Sequence, residues 1–326
     1  MELFDSLKYK IIRRNIKIVF PEATDPRILG AAVRLKADEL VNPILVGNKA
    51  EVSEKAKSLG YQADSFTILD PNDYPEWDAM VESFVERRKG KATKEQAESI
   101  LKDPNYFGTM LVYMGKADGM VSGAIHSTGD TVRPALQIIK TKPGVSRTSG
   151  AFLMVRGRDQ EKYLFSDCAI NVNPGAQELA EIAVESAKTA ALFDIEPKVA
   201  MLSFSTKGSA KADEVTKVQE ATRIAKELDP TIELDGELQF DAAYVPSVAA
   251  QKAPESDVAG KATVFVFPEL EAGNIGYKIA QRFGGFEAIG PILQGLNQPI
   301  SDLSRGSNEE DVYKLTIITA AQTLLK

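Results

Sequence analysis

Short β-rich apolar runs recur along the chain, each followed by a polar or glycine-rich loop and then a helical pattern. Lys17-Ile-Val-Phe20 leads into Pro21-Glu-Ala-Thr-Asp-Pro26 and a helix near 27–39. Asn42-Pro-Ile-Leu-Val46 leads into a helix near 49–58, and Ala117-Asp-Gly-Met-Val-Ser122 into a loop and a helix near 134–140. Lys198-Val-Ala-Met-Leu-Ser-Phe204 precedes Ser205-Thr-Lys-Gly-Ser209 and a helix near 211–228. Thr263-Val-Phe-Val-Phe267 precedes Pro268 to Gly273 and a helix near 274–283. This alternation predicts an α/β protein with parallel sheets covered by helices. Two runs in close succession, Thr148 to Arg156 and Lys162 to Cys168, are split by Gly157-Arg-Asp-Gln160 and predict a hairpin, which makes the sheet there mixed. A last helix is expected at 308–325. Ligands of such sheets bind at the carboxyl ends of the strands, so the loops after the runs are where chemistry is sought.

Length changes this picture first. A chain of 326 residues is long for one core, which points to two domains, with a boundary near Lys142-Pro-Gly-Val145. The 44% hydrophobic and 26% charged fractions are those of an ordinary globular protein. A net charge of -7, from 39 basic and 46 acidic side chains, disfavours a general nucleic-acid binder. It leaves room for an anionic ligand, because a few arginines reverse the field inside a cleft. No apolar run approaches the ~18 residues of a membrane span. The polar start, with Lys8, Lys10, Arg13 and Arg14, lacks the apolar region of a secretory signal, so a cytoplasmic location is expected.

Much standard chemistry is removed by absence. Cys168 is the single cysteine, which rules out an intrachain disulfide. With His126 the single histidine, a structural zinc site from this chain is implausible, and no metal is expected. No G-x-S-x-G elbow, P-loop or G-x-G-x-x-G turn is present. Cys168 sits in an apolar strand pattern and reads as a buried, inert thiol.

Four loops remain. In Ser122 to Pro134, Gly123 and Gly129 let backbone approach a ligand, Ser127, Thr128 and Thr131 offer hydroxyls, and Arg133 adds a permanent charge. Pro134 suits a first helical turn, whose N–H groups favour an anion; a capped helix with a surface arginine is the alternative. Ser203 to Ser209 supplies Ser205, Thr206 and Lys207 to a plausible phosphate nest, or to a simple N-capping loop. In Pro268 to Gly276 the carboxylates Glu269 and Glu271 suit a structural role at a helix start better than acid/base work. In Ser301 to Asp311, Ser307 with Glu310 makes a capping box. That leaves Ser304, Arg305 and Asp311 unexplained: Arg305 beside Gly306 is placed as an oxyanion clamp, or the stretch is a solvated helix start. Outside these loops, Arg87-Arg88-Lys89 with Lys91 is either a solvated face or a contact for a polyanionic ligand tail.

Taken in order, several stretches resemble the phosphate acetyl/butyryltransferase family, the phosphotransacetylases among them. They are Tyr106-Phe-Gly-Thr-Met110, Asp130-Thr-Val-Arg-Pro-Ala-Leu-Gln137, Ser203-Phe-Ser-Thr-Lys-Gly-Ser-Ala210, Phe265 to Gly276, Gly290 to Asn297, and Asp302-Leu-Ser-Arg-Gly306. The resemblance runs from about residue 15 to the C-terminus. It implies two α/β domains with a cleft between them, similar to isocitrate and isopropylmalate dehydrogenases. The first would be 1–144 with 302–326, the second 145–301. It implies a homodimer, no tightly bound cofactor, and coenzyme A as a substrate. The implied reaction is acetyl-CoA plus phosphate giving acetyl phosphate plus CoA. It places Ser304, Arg305 and Asp311 in the catalytic centre and Arg88 and Arg133 on the substrate, with Arg87 competing with Arg88 for its alignment. Ser127, Thr128, Thr131, Ser205, Thr206 and Lys207 complete the expected substrate-binding set. Ser307 stands where many relatives carry cysteine, at a position read here as a cap.

On that resemblance Asp311 would take the proton of the CoA thiol, Arg305 would hold the phosphoryl oxygens, and Ser304 would bond the thiol or the developing oxyanion. Ordinary aspartate and thiol pKa values, about 3.9 and 8.5, differ by roughly 4.6 units, or about 6 kcal/mol for full transfer. The site must therefore raise the acid or lower the thiol. A phosphate butyryltransferase is the rival in the same class. A non-catalytic acetyl-CoA-binding module is a second, and it would show damage at Ser304, Arg305 or Asp311, where none is seen. A decarboxylating dehydrogenase would need metal-binding aspartates and a nicotinamide site that cannot be located.

Overall fold

Lys17–Phe20 forms a strand because Ile18, Val19 and Phe20 are buried completely while Lys17 stays at the edge. The computed structural model that shows this describes residues 2–157 and 161–325. The chain divides into two units, one of Leu3–Lys140 with the stretch from Leu296 onward, the other of Thr141–Gly295.

The first unit opens with α1 (Leu3–Ile11), β1 (Lys17–Phe20), α2 (Pro26–Ala37), β2 (Asn42–Val46), α3 (Lys49–Ser58) and β3 (Thr67–Leu69). It continues through α4 (Trp77–Arg88), α5 (Lys94–Ile100), α6 (Pro104–Tyr113), β4 (Gly119–Ser122) and α7 (Thr128–Pro134). The second unit holds β5 (Ser149–Arg156), β6 (Glu161–Ser166), α8 (Ala176–Leu192), β7 (Lys198–Leu202), α9 (Asp213–Leu228) and β8 (Glu233–Leu238). It ends with α10 (Phe240–Tyr244), α11 (Pro246–Lys252), β9 (Val264–Val266), α12 (Leu270–Arg282) and β10 (Glu287–Gln294). The chain then gives β11 (Ile300–Asp302) and α13 (Glu309–Gln322) back to the first unit. The return therefore brings a strand as well as the expected helix.

The first sheet has the order β11-β4-β1-β2-β3, and every pair is parallel. All four residues of β4 are buried. Such a strand is covered on both faces, which is why it reads as a continuous apolar run. The helix α13 lies against this sheet, with Ser301 Oγ and Thr319 Oγ1 sharing a buried hydrogen bond of 2.6 Å. The second sheet has the order β10-β5-β6-β9-β7-β8. Its β10-β5 and β5-β6 pairs are antiparallel and the rest parallel, the mixed sheet that the hairpin spacing predicts. Of the expected connecting residues, 158–160 lie outside the described residues.

Three helix starts differ from expectation, each for a local reason. The helix expected near 134–140 begins at Thr128, because Ser127 and Asp130 form the capping box. Pro134 sits at its far end, and the chain from Ala135 to Ile139 widens into a π turn, a register change suited to a proline that has no N–H to give. The helix α12 starts at Leu270 rather than 274, because the Glu269 carboxylate accepts from Glu271 N at 2.7 Å and Ala272 N at 2.9 Å. The capping box of α13 is Asn308 with Asp311, not Ser307 with Glu310.

Gly273 allows α12 to touch the strand end beside it: a Cβ there would lie 2.3 Å from the Asp167 carbonyl oxygen. Backbone cannot swing aside as a side-chain tip can. Gly273→Ala is expected to cost about 1–3 kcal/mol, as overpacking of a filled interior does. An unchanged midpoint in urea unfolding would contradict the contact.

Candidate active site

Parallel pairing sets two loops side by side. Asp302 is in register with Ser122, and Leu303 N donates to Ser122 O at 2.7 Å. The loops after β4 and β11 therefore leave the same edge of the first sheet, beside the loop after β1. Two side chains, one from this third loop and one from the helix it starts, organise the other two.

The first is Glu22, whose side chain is fully buried. It accepts from Ala124 N at 2.8 Å and from Ile125 N and His126 N at 2.9 Å. His126 Nδ1 lies 2.7 Å from the same carboxylate. An ionised carboxylate only accepts, so that ring nitrogen is the donor and the imidazole is turned inward. Charge-assisted bonds of this kind offset the cost of burying the carboxylate.

The second is Arg27. Its Nε and Nη2 donate to Asp25 Oδ1 and Oδ2 at 3.0 and 2.8 Å. Nη2 also donates to Ala124 O at 2.8 Å, and Nη1 to Arg305 O at 2.9 Å and Ser307 O at 2.8 Å. All five guanidinium donors are thus used, on three loops. Burial pushes the Asp25 carboxyl up, but the Arg27 bonds and charge outweigh it and hold it below its usual range. One turn and more along α2, Arg34 pairs with Glu309 at 3.2 Å and Glu310 at 2.8 Å and lies over the Tyr313 ring. Glu310 is therefore held by Arg34 and does not cap the helix.

Between these anchors Ser304, Arg305 and Asp311 are exposed. Ser304 Oγ accepts from Gly306 N at 3.2 Å. Among the described residues the Arg305 guanidinium has no protein partner, although its own carbonyl is fixed. Asp311 accepts from Asn308 N at 2.9 Å through Oδ2 as half of the cap. Opposite them, the Ser127 hydroxyl is taken by Asp130 at 2.7 Å. Thr128 is exposed, whereas Thr131 is buried near Asp302, and among the described residues its hydroxyl sits in no hydrogen bond of good geometry.

Asp302 sits behind this surface. It is 6% exposed, and its Oδ1 lacks a hydrogen-bond partner. Gly123 makes space for it: a Cβ there would lie 2.5 Å from Asp302 Oδ1 and 2.6 Å from Leu303 O. Burial pushes the Asp302 carboxyl above its usual range and Glu22 adds to this, while the adjacent Thr128 and Thr131 hydroxyls oppose it.

The basic cluster resolves into two functions. Arg87 donates to Ile138 O at 2.6 Å and Ile139 O at 3.1 Å and stacks on Tyr113, so it serves the π turn. Arg88 remains open, and it and Arg133 both act on Tyr106, whose phenol burial raises and these arginines lower. Lys140 is held below its usual range by burial and then by Arg87, Lys89, Lys91 and Arg88, which marks one shared positive patch.

In the second unit the expected phosphate nest is already filled. Ser205 Oγ donates to Glu237 Oε1 at 2.9 Å, and Gly208 N to the same oxygen at 2.6 Å. Thr206 Oγ1 donates to Gln239 Oε1 at 3.1 Å, and Lys207 Nζ to Asp235 Oδ1 at 2.6 Å. A carboxylate of the protein occupies the donors that a phosphate would need. Cys168 is buried, and burial, then Asp167, pushes its thiol up and away from the reactive thiolate. Among the described residues no group of three or more His, Cys, Asp or Glu is arranged to hold a metal, and no helix is long and apolar enough to cross a membrane.

The model of the family described as "Phosphate acetyl/butaryl transferase" matches residues 2–320. The chain belongs to this family, which is one of acyltransferases. It is similar to the phosphate acetyltransferase of Bacillus subtilis (strain 168), 63% identical over 323 residues and 99% of both chains. It is 60% identical over 329 residues, again 99% of both chains, to that of Staphylococcus epidermidis (strain ATCC 12228 / FDA PCI 1200). A phosphotransacetylase structure from Streptococcus pyogenes superposes with a TM-score of 0.98 at 64% identity, covering 99% of this chain and 98% of that one.

Family motifs direct attention to Ser304, Arg305 and Asp311 and include Asp302 without giving it a role; they do not include Glu22 or Arg27. Glu22 and Arg27 lie in or beside Pro21-Glu-Ala-Thr-Asp-Pro26, a charged loop at a strand end, and that placement was their only signal. Arg27→Lys keeps the charge but cannot reach three carbonyls and a carboxylate together. Acyl-transfer turnover is expected to fall by about tenfold or more, the effect of roughly 1.4 kcal/mol of lost positioning. Steady-state kinetics beside a thermal melt checks this; full turnover would show that the clamp is dispensable.

Proposed function

We propose that the chain transfers an acetyl group reversibly between CoA and inorganic phosphate. One observation carries the reading above the others: an exposed Arg305 guanidinium, without a partner among the described residues, on a backbone clamped by Arg27, between Ser304 and the capped start of α13. The curated relatives of high identity are named phosphate acetyltransferase, which supports acetyl as the acyl group.

In the proposed path both substrates bind together. Arg305 holds the phosphoryl oxygens of acetyl phosphate. Asp311 takes the thiol proton through the carboxylate oxygen not used in its cap. The thiolate attacks the acetyl carbonyl, the bond from that carbon to the phosphate oxygen breaks, and the electron pair leaves with phosphate. Ser304 donates to the oxyanion. Arg88, Arg133, Lys89, Lys91 and Lys140 attract the anionic part of CoA. Direct transfer is favoured over an acyl-enzyme because Cys168 is buried with a raised thiol and His126 is turned to Glu22. Ser127 and Thr131 support the α7 end, while Ser205, Thr206 and Lys207 keep an indirect role through Glu237 and Asp235. The working form we propose is a cytoplasmic homodimer. Exposed Ile275, Ile279 and Phe283, one turn apart on and beyond α12, support an apolar contact between copies.

The reading is tested by mixing acetyl phosphate and CoA without added metal and following thioester absorbance; no thioester would end it. Faster turnover of butyryl than acetyl substrates would favour a phosphate butyryltransferase. Arg305→Lys is expected to weaken acetyl phosphate binding about tenfold through loss of the planar fork. Asp311→Asn is expected to lose about 10²–10⁴-fold in turnover, and near-normal rates across pH would remove Asp311 as base.

A further inference from the structure

Departing phosphate poses a problem that Ser304, Arg305 and Asp311 leave open. When the bond from the acetyl carbon to oxygen breaks, phosphate leaves as a strongly basic trianion unless a proton arrives with it. Asp311, in the role proposed above, has just been asked to accept a proton rather than give one.

A buried carboxyl lies in position for that second task. Asp302 closes β11, two residues before Ser304, and packs over Gly123 with its Oδ1 unpartnered. Thr128 lies near enough to act on it and is itself exposed, so its hydroxyl stands between the buried acid and the outer surface. The charged group facing Asp302 from the loop after β1 is Glu22, which already has four N–H groups around it, two of them from His126. On α7, Asp130 is occupied by Ser127 and Arg133 is exposed near Tyr106; on α2, Arg27 has every donor engaged; beyond β11, Arg305 is exposed. Burial with few donors favours the neutral form of a carboxyl.

We infer that Asp302 is the acid that protonates the departing phosphate, by way of the Thr128 hydroxyl. The inference rests on the acetyl-transfer reading and supplies its missing proton. The Asp302 O–H bond breaks as Thr128 accepts that proton and gives its own to a phosphate oxygen. Asp302 is left as carboxylate and is reset by the proton that Asp311 removed from the thiol, exchanged through solvent. In the reverse direction Asp302 begins ionised and takes the proton of hydrogen phosphate as it attacks acetyl-CoA. Burial, which raises the Asp302 carboxyl above its usual range, suits a group that holds its proton until phosphate leaves.

The test compares pH–rate profiles of the full chain in both directions for wild type, Asp302→Asn, Thr128→Val and Thr128→Ser. In wild type, acetyl-CoA formation should decline on the basic side and acetyl phosphate formation on the acidic side, at one shared pKa. Asp302→Asn should lose about 10²–10⁴-fold in kcat and both limbs, with the KM for acetyl phosphate within about threefold. Thr128→Val should lose the same limbs, and Thr128→Ser should restore them. Limbs intact in Asp302→Asn, or full activity in Thr128→Val, overturn the inference while leaving the acetyl-transfer reading standing. A wild type that makes no thioester overturns that reading instead. Infrared titration then still judges Asp302: a protonated-carboxyl band lost in Asp302→Asn is expected, and its absence from wild type overturns the acid.

Discussion

Five hydrogen bonds from one guanidinium hold the candidate site together. Arg27 uses a planar fork to join the cap of α2, the loop after β4 and the loop after β11. It binds carbonyls and never competes for the exposed surface, so Arg305 and Ser304 remain available while their backbone is fixed. Glu22 is the acidic counterpart, gathering backbone N–H groups from the loop after β4. One residue of each sign, both contributed by the loop after β1 and the helix it starts, therefore gives two otherwise irregular loops a defined geometry.

This division separates scaffold from chemistry. At this site the paired arginines, Arg27 and Arg34, lie on α2, whereas Arg305, Arg88 and Arg133 have no side-chain partner among the described residues. A similar division holds for the hydroxyls. Ser127 caps α7, whereas Thr128 is left exposed next to a buried acid. In the second unit the hydroxyl-rich loop after β7 is satisfied by Glu237 and Asp235 from β8. The same residue types thus make a self-contained turn in one unit and an open surface in the other.

Strands with strong apolar runs were legible from the sequence, and β1 and β2 begin and end where their patterns do. Helix starts were less legible, because capping depends on which of several adjacent polar residues wins. Ser307 and Glu310 match a capping pattern, yet Arg34 draws Glu310 away and Asn308 caps instead. Pro134 suits a helix start by conformation alone, but Ser127 and Asp130 begin the helix six residues earlier, from 134 to 128. Ser304, Arg305 and Asp311 were visible through a family motif. Asp302 stands in the same motif, but its burial over Gly123 was not legible there. Glu22 and Arg27 were not visible, since most of their partners lie about 100 to 280 positions away and only folding brings them into contact.

The register of β11 against β4 also sets when the site can exist. Ser122 and Asp302 pair across 180 positions (302 − 122), and the entire second unit lies in that interval. Closing so long a loop costs entropy that grows only as the logarithm of its length, so the insertion is tolerated thermodynamically. Kinetically the demand is heavier, because distant pairings form slowly. During synthesis the loops after β1 and β4 emerge long before their third partner, and Arg27 has no Arg305 or Ser307 carbonyl to hold until then. The candidate site assembled this way arises late, as the chain's last strand closes on β4.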